Sequence, residues 1–170
     1  MTGDQPVFLM KEREVISMEK YFLHRIQEEE GTFDKGIEVH DTLDSAVRSF
    51  WGRVKLAYNN PNKPNLTFLS CKITDGSGNV VAPFDIKWMK TACENKFFAH
   101  YIRKDGDTFS KGIDVCVDFD TARRNFAASM EYGYNNPQHQ NVSFVSCEIT
   151  DRSGIVLTPF SGTWNKPEEE

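Results

Sequence analysis

The stretch TFDKGIEVHDTLDSA runs from Thr32 to Ala46, and TFSKGIDVCVDFDTA follows 76 residues later, from Thr108 to Ala122. Sliding the chain on itself by 76 extends the match without a gap from 20–90 onto 96–166, with 32 identities in 71 positions. Ordinary composition would give about four or five by chance. A repeat of this length fixes the architecture before any local reading does. Two copies are too few for a solenoid. They predict a pseudo-twofold pair, the one-chain equivalent of a homodimer.

Each copy reads as β-β-α-β-β, which makes the expected class α+β. Phe22, His24 and Ile26, matched by Phe98, His100 and Ile102, recur at alternate positions and share one face of a first strand. A polar turn follows at 28–31 and 104–107. The second strand is KGIEVH or KGIDVCV, with Ile37 and Val39 on one face and Glu38 and His40 on the other. Gly36 and Gly112 fall at its expected start, where a bulge or a positive φ would suit glycine. Leu43, Ala46, Val47, Phe50, Val54 and Ala57 then follow the spacing of a buried helical stripe, as do Phe119, Ala122, Phe126, Met130 and Gly133. Thr42 and Asp118 are N-cap residues, and YNNP ends each helix. LTFLSCKITD and VSFVSCEITD alternate as third strands, with Leu69, Cys71 and Ile73 on one face. The turns DGSG and DRSG lead into fourth strands, where Pro83 and Pro159 mark an edge. The domains are therefore an N-terminal extension (1–19), copy 1 (20–90), a linker (91–95), copy 2 (96–166) and an acidic tail (167–170). A module of about 70 residues buries a marginal core alone. The halves should thus join through a sizeable apolar interface, one form of which is a continuous sheet.

Composition narrows the function classes. A formal net charge of -5 and a pI near 5.4 argue against a sequence-independent nucleic-acid binder, which presents a basic face. No apolar run approaches the roughly 18 residues of a membrane span, and VFLM near the start is followed at once by charges, unlike a secretory signal. Cys71, Cys93, Cys116 and Cys147 form no CxxC pair, the usage of reduced thiols in a cytoplasmic protein. Either the host cytoplasm or a virion is the expected location.

Several residues invite a chemical role. His24 and His100 could hold a metal or move protons, but no third ligand is evident, so hydrogen-bonded core histidines are expected and no metal. Cys71 and Cys147 fall on an apolar face, as small core residues do, and Cys93 lies in the linker. With no HExxH, Walker or GxGxxG pattern, neither a cofactor nor an enzyme is expected. Polar residues repeated without a packing reason stand apart: Lys35 and Lys111, Arg48 and Arg124, Tyr58 and Tyr134, Asn59 and Asn135. They suit two equivalent partner sites or, as the alternative, an anionic nucleotide-like ligand near the module interface. Binding or assembly without catalysis, through a protein partner or self-association, is the expected function.

The phrase KGIEVHDTLDSA with its following SF resembles uncharacterised short proteins of phages and prophages of gut Firmicutes, which carry one copy of such a module. The likeness covers about half of one repeat, and copy 2 departs from it at VCVDF. It implies a mobile-element setting, structural, accessory or counter-defence, and no activity.

Overall fold

The structure is a computed structural model that describes residues 19–55, 57, 62–90, 95–133 and 138–167. The class is α+β: two four-stranded antiparallel sheets and two helices. In the first unit β1 (Tyr21–Glu29), β2 (Thr32–His40), α1 (Leu43–Lys55), β3 (Leu66–Thr74) and β4 (Val80–Met89) follow in order. The second unit repeats that order with β5 (Phe97–Asp105), β6 (Thr108–Cys116), α2 (Phe119–Glu131), β7 (Val142–Asp151) and β8 (Val156–Asn165). The strand order is β2-β1-β3-β4 in one sheet and β6-β5-β7-β8 in the other.

Alternation along each strand gives each sheet two apolar faces. Leu23, Leu69, Cys71 and Ile73 pack under α1 with Ala46, Phe50 and Val54. In the second unit Ala99 and Ile149 lie under α2 with Ala122 and Phe126, and Val145 and Cys147 lie beneath Phe126 and Met130. The opposite faces meet each other: Phe22, Ile26, Ile37 and Phe68 form one core with Phe98, Ile102, Ile113 and Phe144. The layers therefore run α1, sheet, sheet, α2. A continuous sheet is not what forms; the halves join face to face, because both central strands carry apolar residues on the face turned from the helix. Contacts recur at the offset of 76. Phe22 stacks on Phe144 at 5.7 Å and Phe98 on Phe68 at 5.9 Å, while Phe22 meets Phe109 and Phe98 meets Phe33 edge-on, both at 5.8 Å. Each fully buried Phe contributes roughly 1.5–3 kcal/mol, so this layer alone outweighs any single polar contact in the chain.

The helices begin as the caps predict. Thr42 Oγ1 accepts the Ser45 N–H at 3.2 Å, and Asp118 Oδ1 accepts the Thr121 N–H at 2.8 Å. The YNNP stops lie outside the described residues, as does VFLM. The β3–β4 and β7–β8 turns also form as read, with Asp75 and Asp151 each accepting two backbone N–H groups. Both β4 and β8 are edge strands. Pro83 and Pro159 fall in bulges, where residues 81–84 stand opposite Ile73 and residues 157–160 opposite Ile149. There the missing N–H interrupts no ladder.

Two glycine expectations need correction. The second strands start at Thr32 and Thr108, so Gly36 and Gly112 lie mid-strand, and neither is among the residues of positive φ. Their cross-strand partners are Arg25 and Tyr101, whose side chains lie over them: a Cβ would sit 3.5 Å from Arg25 Nη2 or 3.0 Å from Tyr101 Oη. Positive φ belongs instead to the turns, including Gly31, Gly78 and Gly154.

Gly78 and Gly154 also press on the other unit. A Cβ on Gly78 would stand 2.2 Å from Thr163 Oγ1, and one on Gly154 would overlap the Lys87 stem. Gly31 has φ +81 but open space around it. Gly31→Ala should therefore cost only the left-handed strain of about 1–2 kcal/mol. Gly78→Ala should add an overpacking cost of roughly 1–3 kcal/mol. Urea unfolding of the two variants reads the difference; equal losses would mean that the turn does not bear on the facing sheet.

A polar centre between the sheets

At the middle of the sheet–sheet layer the apolar surface gives way to a buried polar cluster. His24 on β1 and His100 on β5 face each other, Nδ1 to Nδ1, at 3.0 Å, and each is only 4% exposed. Their outer nitrogens meet matching hydroxyls: His24 Nε2 is 2.9 Å from Thr74 Oγ1, and His100 Nε2 is 2.9 Å from Thr150 Oγ1. Burial first, and then the neighbouring His100 and Lys72 charges, pushes His24 well below the usual imidazole range, with Glu148 opposing. Burial and then Lys72 do the same to His100. Both rings are neutral at pH 7. One proton must then lie between the two Nδ1 atoms. Glu148 Oε2, 3.7 Å from His100 Nδ1, favours that proton on His100. The line consequently has a direction: Thr150 donates to His100, His100 to His24, and His24 to Thr74.

Lys72 and Glu148 complete the centre. They occupy equivalent positions of the two units, yet one is basic and the other acidic, and they form a buried ion pair across the interface. A second pair, Arg152 Nη2 to Glu28 Oε1 at 2.6 Å, ties the β7–β8 turn to β1, with the guanidinium 4.7 Å above the Phe68 ring. Its counterparts in the other half are Gly76 and Lys104. Where the turn has no arginine, the facing strand has no glutamate. Such buried charges need their partners, because an uncompensated one costs several kcal/mol.

His24, His100 and Glu148 offer three ligand atoms within 4.8 Å of one another. Glu148 is the third group that sequence reading missed. The set still fits a cation poorly. Lys72 already neutralises the carboxylate, and a divalent ion would bring its whole charge into a buried interface. The hydrogen-bonded line satisfies every ring nitrogen without one.

The repeated cations lie elsewhere. Lys35 and Lys111 are exposed on the edge strands β2 and β6. Arg48 pairs with Asp44 on α1 and Arg124 with Asp120 on α2, both pairs well exposed. The helices cover opposite outer faces, so the two arginines do not share a site. Tyr58, Asn59, Tyr134 and Asn135 lie outside the described residues, as does Cys93. Cys71 and Cys147 are buried as read, and burial pushes both thiols up to about 12, which leaves no thiolate for attack at neutral pH. Among the described residues, no helix is long and apolar enough to cross a membrane.

Comparison with protein-family models, with curated proteins and with solved structures returns no match.

Proposed function

We propose that this chain is a tandem duplication of a β-β-α-β-β module, packed as a pseudo-twofold pair, whose role is binding or assembly. The recurring Phe, His and Thr contacts at the 76-residue offset support the pairing. The inner faces of both sheets hold the halves together and their outer faces are covered by α1 and α2, which leaves the solvent sides of the helices for partners. One observation carries the assembly reading. Trp51 stands 48% exposed on the outer side of α1, flanked by the exposed Arg48 and Lys55, whereas the matching position on α2 is Ala127. Tryptophan and arginine are the residue types most enriched among interface anchors. Such a face, present once among the described residues, closes on itself as a dimer when it pairs with its own copy and does not grow into filaments. The mobile-element setting implied by the single-copy resemblance suits an assembly part of this size.

Sedimentation velocity over a concentration series tests the reading. The wild-type chain should show a species of twice the 19.5 kDa chain mass at high concentration. Trp51→Ala should weaken that dimer at least tenfold, since an anchor residue contributes about 2 kcal/mol or more. A wild-type chain that stays monomeric throughout would remove self-association as the role of this face.

A further inference from the structure

Where β2 runs into α1, three side chains form one hydrogen-bonded line. Ser45 Oγ lies 2.8 Å from His40 Nδ1, and His40 Nε2 lies 3.0 Å from Glu38 Oε1. Two periodicities bring them together. Glu38 and His40 are alternate residues of β2 on the face that receives the helix, and Ser45 sits in the first turn of α1, just after its Thr42 cap. Glu38 is held firmly: Ser49 Oγ donates to Oε1 at 2.9 Å and Arg53 Nη2 to Oε2 at 2.7 Å. Partial burial pushes its carboxyl up, but the hydrogen bonds from Arg53, His40 and Ser49 together outweigh that and hold it below its ordinary range.

An ionised Glu38 can only accept, so His40 must present Nε2–H to it. The lone pair of Nδ1 is then left for the Ser45 hydroxyl, which donates. Hydroxyl, imidazole and carboxylate thus stand in the order of nucleophile, general base and orienting group. All three are only partly buried, so the line opens at the surface.

A purely structural role would be to fasten α1 to β2. The apolar stripe and the Glu38 contacts to Ser49 and Arg53 already do that. The second unit seats its helix with Asp114, Cys116 and Thr121 at the matching positions, and so without an imidazole. An imidazole is therefore not a general requirement for seating a helix on this kind of sheet.

We propose that Ser45 is a nucleophile activated by His40 and oriented by Glu38, acting on carboxylic esters and similarly activated acyl groups. This goes beyond the binding reading and does not depend on it. Ser45 Oγ bonds to the acyl carbon while its proton passes to His40 Nδ1. The bond to the leaving oxygen breaks, and that oxygen takes the proton from His40. Water then adds to the acyl-serine, again losing a proton to His40, and the return of that proton to Ser45 Oγ releases the carboxylic acid. The positive end of α1 lies beside the hydroxyl and favours the negative oxygen of each tetrahedral intermediate. Asp41 and Asp44 at the same corner are paired with Lys20 and Arg48, so the corner carries little net charge with which to select among acyl donors.

The full chain supplies the test. It is incubated with a fluorophosphonate probe and, separately, with p-nitrophenyl acetate, and the modified peptide is located by mass spectrometry. A single adduct on Ser45 is expected, with none on Thr121, its counterpart in the second unit. His40→Gln should slow labelling at least 100-fold, as loss of a general base does, and Glu38→Gln should shift the pH profile of labelling. Circular dichroism confirms that each variant is folded. Failure of the wild-type chain to be modified at Ser45 overturns the proposal whatever the variants do, and so does labelling of folded His40→Gln at the wild-type rate.

Discussion

Lys72→Glu should be among the most damaging single substitutions in this chain. It removes the ammonium that balances Glu148 and sets a second carboxylate against it in the sheet–sheet layer, where the two side chains are only 7% and 11% exposed. Breaking a buried pair by removing one partner costs about 3–5 kcal/mol. At about 2–4 °C per kcal/mol for a chain of this size, the thermal midpoint should fall by roughly 6–20 °C. Glu148→Lys should do similar harm. The double exchange Lys72→Glu with Glu148→Lys should recover most of the loss, because it restores opposite charges across the interface. Recovery should stop short of complete. Position 72 pairs with Asp85 on β4, whereas position 148 pairs with the uncharged Ser161 on β8, so the exchanged carboxylate meets a like charge. A double variant no more stable than either single one would mean that the two groups do not compensate each other.

The second large effect concerns acid. His24 and His100 are neutral in the folded chain because burial opposes their charge. In the unfolded chain each takes up a proton once the pH falls below about 6.5. The unfolded state then binds more protons than the native state, so stability falls with falling pH. The limiting slope is about 1.4 kcal/mol per pH unit for each histidine, or about 2.7 for both. Urea midpoints measured between pH 7.5 and pH 5 should be level above 6.5 and drop below it. In His24→Gln/His100→Gln the baseline stability should be lower, but most of this slope should vanish. An unchanged slope would place the acid sensitivity elsewhere.

How much of this was legible before the fold was known differs from element to element. The faces of β1 and β3, the helix stripes, the caps and the Asp-anchored turns follow from alternation, from 3.6-residue spacing and from short-range hydrogen bonding. Each of these acts over a few residues. The glycines at 36 and 112 misled because their reason lies on the next strand, in Arg25 and Tyr101, and strand register is a tertiary property. The polar centre was half visible. Two histidines repeated among apolar neighbours announced a buried pair, but which groups they meet depends on how the sheets face each other. The trace of Glu148 was a lysine replaced by a glutamate at an otherwise well-matched position. For the corner at Ser45 the trace was fainter still: a histidine where the other unit has cysteine, whose meaning depends on a hydroxyl beyond the end of the strand.

The Lys72–Glu148 contact has a further consequence for how the halves find each other. Two identical free chains meeting about a twofold axis would bring like to like at this position, lysine against lysine or glutamate against glutamate. Opposite charges at equivalent positions require that the partners differ, and that each half reliably meets the other kind. The connection between Met89 of β4 and Phe97 of β5 guarantees this by making the encounter intramolecular. A short tether of this kind holds its ends at an effective concentration in the millimolar range, whatever the dilution of the chain. Sheet–sheet docking should thus be first order, and as insensitive to dilution as the folding of a single domain.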